Sequence, residues 1–553
     1  MRVQRLMALL LLVLALAVAP PGVVRAGDGE EGTGEEKKEE EGGESKEGGE
    51  SKDGGEPAPA PTPAPSEEPA EMDLEDEPSD EELKELEGKL AEEEVGVGAE
   101  VFDEGVKLYY EKNYVAACTR LWDYMAGNEA GAENYGYAEF FLARSLDELG
   151  LTHGAIEYYF NVAKNRTKPE LLPDALGAIE RISRTHPFDQ ELILKDLIYD
   201  TTFGYLRDDL RDFVEYYQGL LDYRNGFIRW GQNHFSKIRK DTYYDYKARY
   251  VQAVYELVKY NLDAALKIFE DILASDIQQA DAINNARQSI ARILFEQKKY
   301  DEAYTKYEDI NSPIEKQASV FLEEAWAQYY MKNYPRAMGL LYALEAPAFR
   351  RYLNPERFVL KALIYKNLCH YNVAKDAVAE FREKYGEALS SIYDRVDLDR
   401  DPLLKDGALE EPELIELNRF RELLDNELML LGDHVLAWGD NGLLDHLAMV
   451  YDLKMQEVDR RIERRLDHSI HAFAEKLLEY EEQMNLLDYE IGLSIFKRIK
   501  GTPTERIDED KGREIPFYGP RVFYEFDGEF WNDELHDYRF FIEDRCYSEE
   551  RWE

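Results

Sequence analysis

The sequence predicts an all-α protein: a solenoid of helical hairpins, then a coiled-coil-like helical segment and an aromatic C-terminal cap. Three observations predict it. Through most of residues 97–388, apolar residues recur at steps of three and four, the same-face steps of a helix. Pairs of small residues twelve positions apart repeat along that stretch. Further on, an apolar seam stepping by threes and fours runs from Met455 to Ile491.

The clearest hairpin is 286–310, ARQSIARILFEQKKYDEAYTKYEDI. Ala291, Leu294, Tyr300, Ala303, Tyr307 and Ile310 share a face, and the wider step between Leu294 and Tyr300 spans a polar turn at 297–299. Ala291 and Ala303 let the two helices approach closely while the tyrosines fill the flanks. One such hairpin cannot bury its own apolar face and needs copies on both sides. The copies pair Gly105 with Ala117, Ala143 with Ala155, Gly219 with Gly231, Ala253 with Ala265, Ala325 with Ala337 and Ala362 with Ala374. Four residues after each second site stands a large residue: Leu121, Tyr159, Phe235, Phe269, Tyr307, Leu341 or Val378. A degenerate copy, Ala178 with Gln190 and Leu194, fills the gap after the second unit. From Ala117 to Ala374 the spacing averages about 37 residues.

The segments YEKNYVAACTRL (110–121), FEQKKYDEAYTKY (295–307) and YMKNYPRAMGLL (330–341) resemble tetratricopeptide repeats. Ala or Gly fills the family's two small positions and Tyr precedes the second; most units lack the family's early Trp and final Pro. The resemblance covers roughly residues 97–388 and implies eight antiparallel helix pairs in a right-handed superhelix. It also implies a concave face lined by the first helix of each pair. The exposed positions there lie one and four residues after the first small site: Val254, Leu257, Arg292, Phe295, Trp326 and Tyr329. These six are the candidate partner-binding groove; their alternative role is packing between repeats.

Residues 1–26 read as a secretory signal. Arg2 and Arg5 precede an apolar run over 6–19, and Val24 and Ala26 supply the small residues of a cleavage site. That run is shorter than the ~20 residues a bilayer requires, although an uncleaved anchor is the alternative. The reading predicts export across the inner membrane to the periplasm, with no membrane insertion after cleavage. Residues 27–96 are an acidic, then Pro/Ala-rich linker. GDGEEGTGEEKKEEEGGESKEGGESKDGGE offers no apolar side chain to offset the entropy of ordering, and PAPAPTPAPSEEP favours an extended spacer. A capping-box sequence at 79–82 predicts a short helix near 79–94.

Beyond the repeats, residues 389–412 read as a charged connector and 413–500 as long helices. The seam there is expected either to fold back on 413–431 or to form a homodimer through 443–499. Residues 501–553 form an aromatic tail, expected to pack as a cap over the helical seam, with a free docking peptide as the alternative. Its motif FDGEFWNDELHDY resembles the ends of tetratricopeptide-containing envelope proteins of gliding deltaproteobacteria.

The net charge of −48 argues against nucleic acid and anionic membranes as partners. Cys118, Cys369 and Cys546 form no CxxC and permit one disulfide at most. Among nine histidines only His468 and His471 share a helix face, without the HExxH arrangement of zinc hydrolases. No GxxxxGK[ST] or GxSxG occurs; the one GxGxxG, from Gly27, lies in the Gly/Glu-rich segment and opens no helix. The expectation is therefore no catalytic, cofactor or metal site. The leading function is a scaffold binding other envelope proteins or their peptide segments, in motility or envelope assembly. The alternative is an envelope enzyme or its accessory, built from the aromatic region 187–250 or the tail.

Overall fold

The computed structural model describes residues 97–166, 168–198, 206–395, 397–501 and 528–546. The predicted signal, the linker with its short helix, and the tail outside 528–546 lie beyond the described residues. The described residues are mostly helical, without a strand among them. No helix among them is long and apolar enough to cross a membrane.

Consecutive helices pack as pairs. The first pairs are α1 (Ala99–Tyr110) with α2 (Tyr114–Ala126) and α3 (Tyr135–Glu148) with α4 (Thr152–Asn165). Next, α5 (Leu172–Thr185) precedes a short Gln190–Leu192 turn that continues as a π-helix over Ile193–Ile198. Then come α6 (Asp208–Arg224) with α7 (Ile228–Phe235), and α8 (Tyr243–Val258) with α9 (Leu262–Leu273). The last pairs are α10 (Ala280–Glu296) with α11 (Tyr300–Glu308), α12 (Ile314–Tyr330) with α13 (Tyr334–Ala343), and α14 (Glu356–Asn367) with α15 (Tyr371–Tyr393). This order is compatible with a helical-hairpin repeat.

The small-residue register holds at atomic detail. All fourteen residues of the seven regular pairs are buried, as are the large residues four positions after each second site. At the Gly219–Gly231 crossing, a Cβ on Gly231 would stand 2.9 Å from the Gly219 carbonyl oxygen, so neither helix tolerates a side chain there. The degenerate unit departs from the pattern: Leu194 is buried, but Gln190 is exposed and its second helix is the π segment. Ala303 and Ala337 have no exposed surface. Replacing either with Leu overpacks its hairpin and should cost ~1–3 kcal/mol; an unchanged melting temperature in both variants would refute this register.

A feature the composition hides unites the hairpins. Each regular pair turns in three residues, and the middle one, five before the second small site, has positive φ: Lys112, Gly150, Gly226, Tyr260, Lys298, Lys332 and Cys369. The hydrogen bonds are the same each time. In the first hairpin Lys112 N–H donates to Tyr109 O and Asn113 N–H to Leu108 O, a Schellman motif. Only two of the seven are glycines, so a search for the usual C-terminal Gly signal misses the repeat.

After α15 the stretch 389–412 is more than a connector. It contains the end of α15 and a helix, α16 (Pro402–Leu409), whose Leu404 and Ala408 are buried. Then follow α17 (Pro412–Gly432), a short α18 (Val435–Trp438) and α19 (Leu443–Gly501), 59 residues and roughly 90 Å long. Of the two expectations for the seam, the structure shows the intrachain one. Its residues from Met455 to Ile491 are buried or half-buried against α4 and α17 near its start, and against α14, α15 and α16 further along.

Three apolar cores result. One joins α1–α8 to α17, α18 and the start of α19. A second joins α12–α16 to the later part of α19 and to Leu535 of the tail. The third, spanning α8 to α12, contains no residue of the C-terminal segment among the described residues. The long helix thus braces the early and late repeats and contributes nothing to the core between them.

Burial pushes the carboxyls of Glu139 on α3 and Glu410 beyond α16 up to about 7. Each holds a proton in the folded chain that the unfolded chain releases near the usual value of about 4.3. Their stabilising contribution is complete below that value and is lost as pH rises through about 7. The melting temperature should therefore fall between about pH 4 and about pH 7, and Glu139→Gln should flatten that fall. A slope identical in the variant would disprove the role of Glu139.

Candidate partner-binding surface

The six predicted groove residues do not form one open strip. Val254 and Leu257 on α8 are fully buried in the middle core, and Phe295 on α10 is 9% exposed. Phe295 packs edge-on against Tyr300 and Tyr330, with centroids 5.2 and 5.6 Å away. Arg292 reaches the next repeat and holds Glu323 of α12 through two nitrogens, at 2.9 and 2.6 Å. Tyr307 O–H donates to the same carboxylate at 3.0 Å. Burial opposes the charge on Arg292, but Glu323 more than offsets it and holds the guanidinium above its ordinary value. Trp326 is half-buried beside Tyr329 and Tyr330. Tyr329 accepts a 2.9 Å hydrogen bond from Asn367 of the next pair. Positions that point outward in an isolated hairpin are covered here by the neighbouring repeat.

Within the repeats, most of the exposed large side chains instead lie along the rim where the hairpins turn. Tyr110, Phe227, Trp230, Tyr260, Tyr330 and Met331 are 38–71% exposed. Tyr110 and Tyr330 end the first helices of their pairs, Tyr260 is itself a left-handed turn residue, and Phe227 and Trp230 open the second helix of theirs. Phe227 and Trp230 lie 5.9 Å apart, Tyr330 stacks on Tyr300 at 4.7 Å, and Tyr260 O–H donates to Glu296. Lys112, Lys259, Lys298, Lys299 and Lys332 lie in the same turns. Elsewhere in the aromatic region 187–250 the rings are mostly core: Phe213, Tyr216, Tyr217, Tyr223, Phe235, Tyr244 and Tyr246 are buried. Phe203 and Tyr205 lie outside the described residues.

A polar cleft of about 660 Å³ opens beside that region, lined in part by Arg144, Asp147, Glu180, Arg181, Arg207 and Asp209. Two ion pairs lie within it, Arg181 with Asp147 and Arg207 with Asp209. Among the described residues no group of three His, Cys, Asp or Glu is placed to hold a metal ion.

The tail occupies a cleft over α12–α15. Leu535 is fully buried, and His536 Nε2 lies 2.9 Å from Glu324, which has no exposed surface. Arg336 sits beside both, 3.5 Å from Glu324 and 3.1 Å from His536 Nδ1. Phe540 stacks on Tyr342, and its N–H donates to Pro335 O. A disulfide between Cys546 and Cys369, the left-handed residue of the last hairpin turn, fastens the far end; Cys118 is free and buried. The described tail is thus an ordered strap against the late repeats, whereas the sequence placed it over the α19 seam. A Cβ on Gly339 would overlap the Tyr538 carbonyl. Gly339→Val should therefore lift the strap at a cost of ~1–3 kcal/mol, read as new proteolysis near residues 528–546. A strap as protease-resistant as the parent's would show that the cleft accommodates the side chain.

Sequence reasoning expected a packed tail but missed its place, and it missed a buried polar knot. Glu427, 1% exposed, interrupts the apolar face of α17 and accepts from Thr152 Oγ1, from His153 N at 2.8 Å and from Tyr451 O–H at 2.7 Å. Gly154 N–H donates in turn to the Tyr451 oxygen at 3.1 Å. A carboxylate from α17 thereby caps the N-terminus of α4. The available signal was one Glu among Leu417, Phe420, Leu424 and Leu431. Burial pushes that carboxyl above its usual value, and it leaves His153 neutral, near 3.

No protein-family model matches the chain, and no curated protein matches it. The structure itself defines the class: an all-helical protein of consecutive packed helix pairs, braced by a long C-terminal helix.

Proposed function

We propose that this protein is an exported, non-enzymatic scaffold of the bacterial cell envelope, built on a right-handed tetratricopeptide-type solenoid. On this reading it acts in the periplasm, holding other envelope proteins or their peptide segments in a motility or envelope-assembly complex. One observation carries the binding reading. Among the described residues the C-terminal segment adds nothing to the α8–α12 core; along those repeats the turn rim exposes Tyr260 and Tyr330, and the adjoining α6–α7 hairpin exposes Trp230. Large rigid rings that are already solvent-exposed offer contact area at little entropic cost. The contact is therefore shifted from the predicted strip, Val254 to Tyr329, to the rim beside it.

The test is Trp230→Ala with Tyr260→Ala, compared with Arg292→Ala. Crosslinking and capture from the native envelope are measured beside melting. The rim pair should lose capture with melting preserved, whereas Arg292→Ala should lower melting by stranding Glu323. Capture that survives the rim substitutions would overturn the rim assignment.

A further inference from the structure

The seam of α19 is consumed within the chain, yet the same helix carries a second apolar stripe on its opposite side. Leu486, Tyr489, Leu493 and Phe496 step by three and four and are 45, 64, 40 and 53% exposed. Their neighbours on the other face, Met484, Leu487 and Ile491, are at most 4% exposed. An isolated exposed Leu means little, but four large apolar side chains in register on a helix form a contiguous patch.

The stripe has an electrostatic direction. On the same outward face it is preceded by exposed Glu475, Glu479 and Glu482 and followed by exposed Lys497 and Lys500. Other acidic residues of α19 grip the repeats. Asp488 pairs with Arg382 at 3.0 Å, Glu490 pairs with Lys366, and Tyr393 O–H donates to Glu481 at 2.5 Å. Running acid, apolar, base along ~39 Å of helix, the face is complementary to itself in one orientation only. A parallel copy sets like charge on like; an antiparallel copy sets Glu479 and Glu482 beside Lys497 and Lys500 and stacks the apolar centres.

We propose that the outward face of α19 from Glu475 to Lys500 is a self-association surface, on which a second copy docks antiparallel about a two-fold axis near Tyr489. The interface is isologous, as two-fold symmetry requires: Tyr489 meets Tyr489, and Leu486 of each copy packs beside Leu493 of the other. The charged arms fix direction more than strength, because rim pairs chiefly exclude wrong partners. The consequence is a scaffold presenting two turn rims, so that an elongated partner gains avidity. The surface does not depend on the proposed scaffold function; a dimer with no envelope partner would leave this inference standing and remove the other.

The experiment is sedimentation equilibrium of the full chain over a range of concentrations. The parent should be a dimer. Tyr489→Glu should raise the dissociation constant by about a hundredfold or more, with helicity and melting unchanged. Lys497→Glu with Lys500→Glu should weaken the dimer by about tenfold, and adding Glu479→Lys with Glu482→Lys should restore it. Orientation is read from disulfide crosslinking in a Cys118→Ala background: a Glu482→Cys chain should join a Lys497→Cys chain faster than either joins itself. A parent monomeric at every concentration overturns the proposal. If Tyr489→Glu then lowers melting, the chain itself covers the stripe. A dimer indifferent to Tyr489→Glu, or one crosslinking like to like, overturns it equally.

Discussion

Trp438→Ala should destabilise the protein by ~3–5 kcal/mol, the range for emptying a large aromatic site in a core that cannot collapse. Trp438 ends the short helix α18 with no exposed surface, and its indole N–H donates to Val115 O of α2 at 3.1 Å. Around it the 434–443 segment is pinned to α2. Trp122 Nε1–H donates to Asn441 O at 2.9 Å, and Asn441 Nδ2 to Asp123 at 3.0 Å. Backbone held by such bonds cannot move in to fill the cavity, so the cost belongs at the upper end. Trp438→Phe separates the terms. It keeps most of the volume and loses the hydrogen bond, for ~1 kcal/mol. The check is the urea midpoint of both variants; an Ala variant within about 1 kcal/mol of the parent would mean that the site relaxes.

Glu427→Ala should cost ~2–4 kcal/mol, by a different mechanism. The side chain contributes little apolar burial. Its loss strands three buried donors, Thr152 Oγ1–H, His153 N–H and Tyr451 O–H, and uncaps α4. Leaving a donor unmade is dearer than never having it, so the partners decide the outcome. Glu427→Leu combined with Tyr451→Phe removes an acceptor and one donor together, although Gly154 N–H then loses the Tyr451 oxygen, and should recover part of the loss. A double variant no more stable than the sum of the singles would argue that the knot does not act as a unit.

How far the sequence reaches is clearest in particular residues. Ala291 with Ala303 and Ala325 with Ala337 were legible because close helix packing needs small side chains at fixed spacing, a constraint local to one hairpin. Met455 to Ile491 was legible as a seam because helical periodicity shows which side of a helix seeks burial. Neither pattern names the partner. The same seam served an intrachain fold or a dimer equally, and the groove positions were assigned from a single hairpin's geometry. Val254, Leu257 and Phe295 are covered because the next repeat arrives over them, a contact made some 35 residues further along the chain.

By itself, then, the sequence determined the helical class, the hairpin register and the apolar sides of the long helix, all set by interactions within about a dozen residues. Only the tertiary structure decided the rest. It gave Cys546 to Cys369 across 177 positions, Glu427 to the start of α4, and Leu535 and His536 to the α12–α13 hairpin. Among the described residues, it also left the α8–α12 core without the C-terminal segment and turned Tyr489 to solvent. The reason is that periodicity fixes a side chain's direction about its own helix axis, whereas burial depends on which distant helix lies along that direction.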